Sequence, residues 1–299
     1  MTKPTIGLAL GSGVARGWAH IGVLKALEEA GIKPDIVCGT SIGALVGGLY
    51  LSNNLNKLED WALGLGRSSM FRFLDLQLRG GGLISGRKLY KVIEEATGDT
   101  QIEDLDVPFA AITTELGTGH EIWVRKGHLA SAIQASYALP GLFSPQKIDN
   151  RWLIDGALTN PVPVSVCRAL GARLVIAVNL NADTFGMTHV GESETDLSEE
   201  ISSIGLFTSP VNMVKHRFFD KSKSEPSIFG VMMSSLNIVQ DRMSRSRLAG
   251  DPPDVTIAPR LAQYGLLEFD KAEIMIEEGR NAVGRSMPFL NHALEVLSM

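Results

Sequence analysis

Two hydrophobic periods alternate over the first forty positions. Residues 5–10 (TIGLAL) form an apolar run of strand length, closed by the glycine-rich stretch GSGVARG at 11–17. Apolar residues then recur at Trp18, Ile21, Val23, Leu24, Leu27 and Ala30, a helical spacing that stops at Gly31. A second apolar run, PDIVCG at 34–39, is entered through Pro34. Strand, helix, strand predicts a βαβ unit. Its right-handed crossover makes the strands parallel and leaves both C-terminal ends at one edge of the sheet. That is the edge at which open α/β sheets hold ligands.

The alternation continues downstream. Helices are expected over 41–52, 55–66 and 86–98, the last after a glycine-rich loop at 79–88 and capped by Ser85. Two strands, 107–116 and 119–127, are joined by Gly117-Thr118-Gly119 in a hairpin-like connection. A helix over 128–139 runs to Pro140. A short strand at 151–158, a helix at 163–172 and a buried strand at 173–180 follow. The pattern then breaks. Residues 183–200 carry six acids and no Lys or Arg, which reads as a loop. Residues 215–247 hold seven Lys/Arg against three Asp/Glu, and Ile228, Met232, Leu236, Val239 and Met243 share one helical face. A last strand at 253–259 and a helix at 269–297, kinked near Pro288, close the chain.

With 299 residues, 44% of them hydrophobic, the chain can bury a sizeable core. The expectation is a single domain over 1–299, with a core at about 5–180, a loop or lid region at 183–250 and a closing strand and helix at 251–299. A net charge of −5 and a pI near 5.7 speak against a dedicated nucleic-acid binder. Two cysteines, Cys38 and Cys167, imply no disulfide framework and suit a reducing cytoplasm, with Cys38 a small buried hydrophobe. The most apolar stretch, residues 42–51, is too short and too glycine-broken to span a membrane. The N-terminal residues lack the pattern of a signal peptide. A cytoplasmic location is expected, with peripheral contact at the inner membrane surface as an option. For 215–247 there are two readings: a lid or membrane-surface contact, and, favoured, a helix packing its apolar face on the domain.

Three stretches carry chemistry. In GTSIG (39–43), Ser41 sits between Gly39 and Gly43, after a strand-like run and before a helix-like one. A serine on such a turn has its hydroxyl pushed out of the sheet, at a helix N-terminus that favours developing negative charge. A serine that merely caps the helix is the alternative. GSGVARG can aim backbone N–H groups outward as an anion site. A dinucleotide loop would want an acidic residue at the end of the second strand, where Cys38-Gly39-Thr40 stand instead. An oxyanion hole beside Ser41 explains both loops with one site. In DGALTNPVPV (155–164), Asp155 ends a short strand and can supply the base that a serine needs, or can be a turn aspartate. Of six histidines, His189, His216 and His292 follow in the order an α/β-hydrolase triad requires, but none comes after a strand end. His20 lies within the first helix and is expected to pack.

GSGVARG, GTSIG and DGA, in this order and with ASYALPGLFSP at 135–145, resemble the patatin-like phospholipase family. The likeness is to its bacterial members related to the neuropathy-target-esterase branch, over about residues 5–180. The resemblance implies a three-layer α/β/α sandwich around a mainly parallel sheet, and a Ser–Asp dyad without histidine. Ser41 would be the nucleophile, on an elbow shaped by Gly39 and Gly43, and Asp155 the base. The oxyanion turn would be built from Gly11, Gly13, Val14 and Arg16, with the Gly13 and Val14 N–H groups as chief donors. Arg16 would support that turn or face a substrate phosphate. Ser12 and Val14 stand where the family often has glycines, and Ala157 replaces the last glycine of a DGG form. The implied activity is hydrolysis of lipid or simple carboxylic esters, with no metal, cofactor or nucleic acid. A weakly active regulatory protein on the same fold is the alternative, and a nucleotide-binding protein a more distant one.

Overall fold

A computed structural model describes residues 4–66, 82–84, 86–183 and 228–298. Strand β1 (Ile6–Leu10), helix α1 (Ala19–Glu29) and strand β2 (Ile36–Thr40) form the expected parallel βαβ unit. Helices α2 (Ile42–Leu51) and α3 (Leu55–Leu63) follow, then the short strand β3 (Gly82–Ile84) and α4 (Arg87–Thr97). Ser85, the expected cap of α4, lies outside the described residues, and Gly86 occupies the N-cap position. The hairpin is β4 (Phe109–Glu115) with β5 (Glu121–Val124), and α5 (Leu129–Ser136) comes next. Strands β6 (Gly141–Phe143), β7 (Gln146–Ile148) and β8 (Arg151–Asp155) lead to α6 (Val164–Ala169) and β9 (Leu174–Val178). Helix α7 (Ile228–Gly250), strand β10 (Val255–Ile257) and helix α8 (Ala272–Ser298), which carries Pro288 within it, complete the chain. Strands β3, β6 and β7 have three residues each, too few to show a period, and no reading of the sequence anticipates them.

The main sheet has the order β10-β9-β1-β2-β4-β8-β7, with β5 also on β4. Strands β10, β9, β1, β2 and β4 run parallel, and β5, β8 and β7 are antiparallel additions. Side chains alternate strictly between its two faces. Leu8, Leu10, Val37, Ala111 and Ile176 point into a large core shared with α1, α2, α3, α5 and α8. Ala9, Cys38, Ala110, Ile112 and Val175 point into a second core, closed by Val164, Val166 and Cys167 of α6. Helices on both faces make this the expected three-layer α/β/α sandwich around a mostly parallel sheet.

The register along β4 sets up everything that follows. Strand β2 pairs with β4 up to Thr40↔Ile112, and β8 pairs with it from Glu115↔Leu153 to Thr113↔Asp155. Strand β5 covers 111–114, overlapping both, so it must take the opposite edge of β4. On the shared edge, β2 and β8 therefore meet head to head, one ending at Thr40 and the other at Asp155.

Helix α7 meets expectation in part: Met232 and Leu236 of the expected face pack on the domain, but the face as a whole is turned. Val239 is exposed, whereas Met233, Gln240 and Ser244 are buried, so the inward face is turned by about 90° from the one that the apolar residues suggest. Residues 184–227, which include the start of the basic stretch and all of the acidic one but Asp183, lie outside the described residues. Among the described residues no helix is long and apolar enough to cross a membrane.

Helices α1 and α8 cross with their backbones in contact. A Cβ on Gly22 would overlap the carbonyl oxygen of Ile276, and one on Gly279 would overlap that of Ala19. Main chain blocks both, so nothing flexible can give way. Gly279→Ala is expected to lower unfolding stability by about 1–3 kcal/mol in urea titration, as overpacked sites do. An unchanged midpoint would show that α8 can shift on α1.

Candidate active site

Ser41 is buried, between the last residue of β2 and the first of α2, with φ 57° and ψ −120°. A non-glycine residue in this region costs of order 1–3 kcal/mol and persists only when its surroundings hold it there. Two kinds of constraint do so. One is steric: a Cβ on Gly43 would overlap the carbonyl oxygen of Leu10, and one on Gly39 would strike the backbone of Ala44. The elbow is thus pressed directly onto the end of β1, which only glycine allows. The other constraint is polar. The Ser41 N–H donates to Ser136 Oγ at 2.9 Å, and the Ser136 hydroxyl donates to the Ile112 carbonyl at 2.6 Å. Thr40 Oγ1 donates to the Asn160 carbonyl at 2.8 Å. The Ser41 carbonyl accepts from Ala44 and Leu45 and so opens α2.

Asp155 is buried at the end of β8. Its backbone is held by an N–H bond to the Ala138 carbonyl, 3.0 Å, and by Thr114 Oγ1, which donates to its carbonyl at 3.0 Å. Its side chain accepts the Ala157 N–H on Oδ1 at 2.8 Å and the Ser41 hydroxyl on Oδ2 at 2.6 Å. Burial pushes the carboxyl's pKa up to about 7, against the opposing pull of the Ser41 and Ala157 hydrogen bonds. A carboxylate so desolvated is a far stronger proton acceptor than one in water, and its nearest acid is the Ser41 hydroxyl.

The glycine-rich turn lies against the start of α2. A Cβ on Gly17 would overlap the Ile42 side chain. The Gly11 N–H is taken by the Val178 carbonyl at 3.0 Å, and the Ser12 N–H by Pro161 at 2.8 Å. Ala15 and Arg16 donate to Leu266 and Gly13. The N–H groups of Gly13 and Val14 have no acceptor among the described residues. Val14 has φ 51°, a real strain for a β-branched side chain and the reason glycine suits this position.

Of the two roles open to Arg16, the hydrogen bonds favour support of the turn through a backbone carbonyl. Its guanidinium is buried and donates to the Tyr264 carbonyl at 3.0 and 2.8 Å and to Asn181 Oδ1 at 3.3 Å. Burial pulls its pKa down, while Asp183 and Glu268 oppose that pull. It braces the turn. Gly11, with its N–H spent on β9, shapes the turn and cannot serve as a donor to a ligand without breaking the ladder. His20 is fully buried, with Nε2 2.7 Å from the Gly11 carbonyl and its pKa pushed down to about 4 by burial. It is neutral and carries its proton on Nε2, where it supports the carbonyl behind the turn.

Ser136, Thr40, Thr114 and Asn160 escaped the reading of the sequence. Ser136 did leave a trace: it is a polar residue on the otherwise apolar buried face of α5, among Leu129, Ala132, Ile133 and Ala135.

A sequence profile of patatin-like phospholipases matches residues 8–168. An uncharacterized NTE family protein of Mycobacterium tuberculosis is 31% identical over 326 residues, covering 93% of this chain and 90% of its own. Neuropathy target esterase sws of Drosophila melanogaster is 35% identical over 221 residues, 71% of this chain but 15% of that protein. Lysophospholipase nte1 of Emericella nidulans is 31% identical over 281 residues, 92% of this chain and 17% of that one. The crystal structure of VipD from Legionella pneumophila superposes with a TM-score of 0.50 at 13% identity, over 97% of this chain and 67% of that one. At that identity it speaks for the fold alone.

Ser136→Ala would leave a buried N–H and a buried carbonyl unsatisfied, so a loss of about 1–3 kcal/mol in denaturant melts is expected. Reaction of Ser41 with a fluorophosphonate should slow in the same variant. Wild-type stability and labelling rate together would show that the elbow holds its strained geometry without Ser136.

Proposed function

The chain belongs to the patatin-like phospholipase family, and from that premise we propose that it hydrolyses carboxylic esters of lipids through a Ser41–Asp155 dyad. The observation that carries this reading is the 2.6 Å hydrogen bond from the Ser41 hydroxyl to a carboxyl whose burial raises its pKa to about 7. A serine hydroxyl is a weak nucleophile until a neighbouring base takes its proton. Relatives named as an esterase and a lysophospholipase support phospholipid or lysophospholipid acyl esters as the substrate class.

In this mechanism Asp155 Oδ2 takes the Ser41 proton as Oγ attacks the ester carbonyl. The N–H groups of Gly13 and Val14 receive the oxyanion, each such donor contributing about 3–4 kcal/mol to the transition state. The N-terminal end of α2 adds a favourable field. Collapse breaks the ester C–O bond, and the proton held on Asp155 passes to the leaving alcohol. Water then attacks the acyl-serine and gives its proton to Asp155. When the acid departs, that proton returns to Ser41 Oγ. Arg16 and His20 touch no reacting atom. They hold the turn whose donors do.

Intact-mass measurement with a fluorophosphonate is the direct test. One adduct is expected on the wild type, none on Ser41→Ala, and slow addition on Asp155→Asn. Labelling of Ser41→Ala at the wild-type rate would sink the assignment.

The base must be ionised to act, so kcat/KM for an aryl ester should rise with pH through an apparent pKa near 7 and then level off. Stability should move the other way. The unfolded carboxyl loses its proton near 3.8 and the folded one near 7. The stabilisation by protonated Asp155 is therefore complete below the lower value and lost as pH climbs through the upper one. Asp155→Asn escapes that loss. Its stability relative to wild type should increase between pH 4 and pH 8. A constant difference would mean that Asp155 is not desolvated.

A further inference from the structure

Helix α7 buries Gln240 and Ser244 beside its methionines and leaves three aliphatic side chains in solvent. Its inner seam carries Gln240 and Ser244, both buried. Ser12 of the glycine-rich turn donates to Gln240 Oε1 at 3.3 Å. Next to them, Met232, Met233 and Leu236 pack on Val14, Leu139 and Leu142, so the helix sits directly over the turn. At its C-terminal end Arg247 donates to the Thr159 carbonyl at 2.9 Å and pairs with Glu121 at 3.2 Å. The outer face carries Val231, Ile238 and Val239, exposed at 49%, 48% and 45%. Arg242 is exposed on the same stripe, which spans about 16 Å from residue 231 to residue 242 at 1.5 Å per residue. Over the whole helix three arginines face one aspartate, a net charge of +2.

A helix that only needed to cover the core would place its aliphatic residues inward. This one lies over a polar turn, which accounts for Gln240, and Ser244 bonds back to the Gln240 carbonyl, but neither accounts for three aliphatic side chains in water. Aliphatic residues flanked by arginine match a surface with anionic headgroups over an apolar interior. We propose that the outer face of α7, centred on Val231, Ile238, Val239 and Arg242, docks the protein on anionic phospholipid membranes. The proposal rests on the lipid-ester reading, because that chemistry places the substrate in such a surface. The Gln240–Ser12 bond ties the docking helix to the turn that would bind the oxyanion.

The test uses the full chain and two readouts, with Val231→Ser/Ile238→Ser/Val239→Ser as one variant and Arg242→Glu as another. Co-sedimentation is measured with vesicles of phosphatidylcholine alone and of phosphatidylcholine with phosphatidylglycerol. Turnover is measured on a soluble short-chain aryl ester. The wild type should bind the anionic vesicles, and the triple variant about tenfold less, given the apolar area lost. Arg242→Glu should weaken binding to anionic vesicles only, and high salt should abolish the difference. Both variants should melt and turn over the aryl ester as the wild type does. A wild type that ignores anionic vesicles, or a folded triple variant that binds them equally, would overturn the docking surface. Specific capture of another protein by this face without vesicle binding would overturn it too. Failure of the aryl-ester reaction in the wild type would instead strike the catalytic reading, since vesicle binding is measured independently of turnover.

Discussion

The structure depends on a collision between two strands. Strands β2 and β8 approach each other along one edge of β4, and neither can extend further without displacing the other. Each chain must therefore leave the sheet at that point. One does so through the strained turn at Ser41, the other through Asp155 and the short turn at Gly156–Leu158. Because the strands end face to face, their terminal side chains fall within hydrogen-bond distance in the interior of the protein. Burial there raises the basicity of the carboxylate, and the short bond orients the hydroxyl. Proximity and pKa thus have one cause.

The surroundings make sense as supports for that meeting. Gly39 and Gly43 let α2 press against β1 and β2. Ser136 satisfies the N–H that the strained turn would otherwise leave bare in the interior. Arg16 and His20 bind carbonyls around the glycine-rich turn, so its two N–H groups without an acceptor among the described residues are held in place by bonds made elsewhere. The α1–α8 crossing anchors the helix that follows this turn, so packing far from Ser41 still bears on it. Helix α7 closes the arrangement from above, with Gln240 and Ser244 beside methionines inward and an aliphatic stripe outward.

Much of this was legible in the chain. The parallel βαβ unit, the order of strands and helices through β9, and the glycine pattern around Ser41 follow from local rules of periodicity and turn chemistry. Those rules act within ten or fifteen residues, and they worked where an element was long enough to show a period. They failed for the three-residue strands β3, β6 and β7. They held only in part for α7, whose Met232 and Leu236 pack inward as expected while Gln240 takes a buried place beside Ser12 and Val239 turns to solvent.

The sequence by itself determined the fold class and the position of Ser41 on a strand-to-helix turn. Only the tertiary structure decided that Asp155 meets Ser41 at 2.6 Å and is buried there. Likewise it alone decided that Ser136 holds the elbow, that Arg16 bonds to Tyr264 and Asn181, and that Gly13 and Val14 find no acceptor among the described residues. The physical reason is range. A turn is written in adjacent residues, whereas desolvation and register between segments more than a hundred positions apart exist only once the sheet has formed.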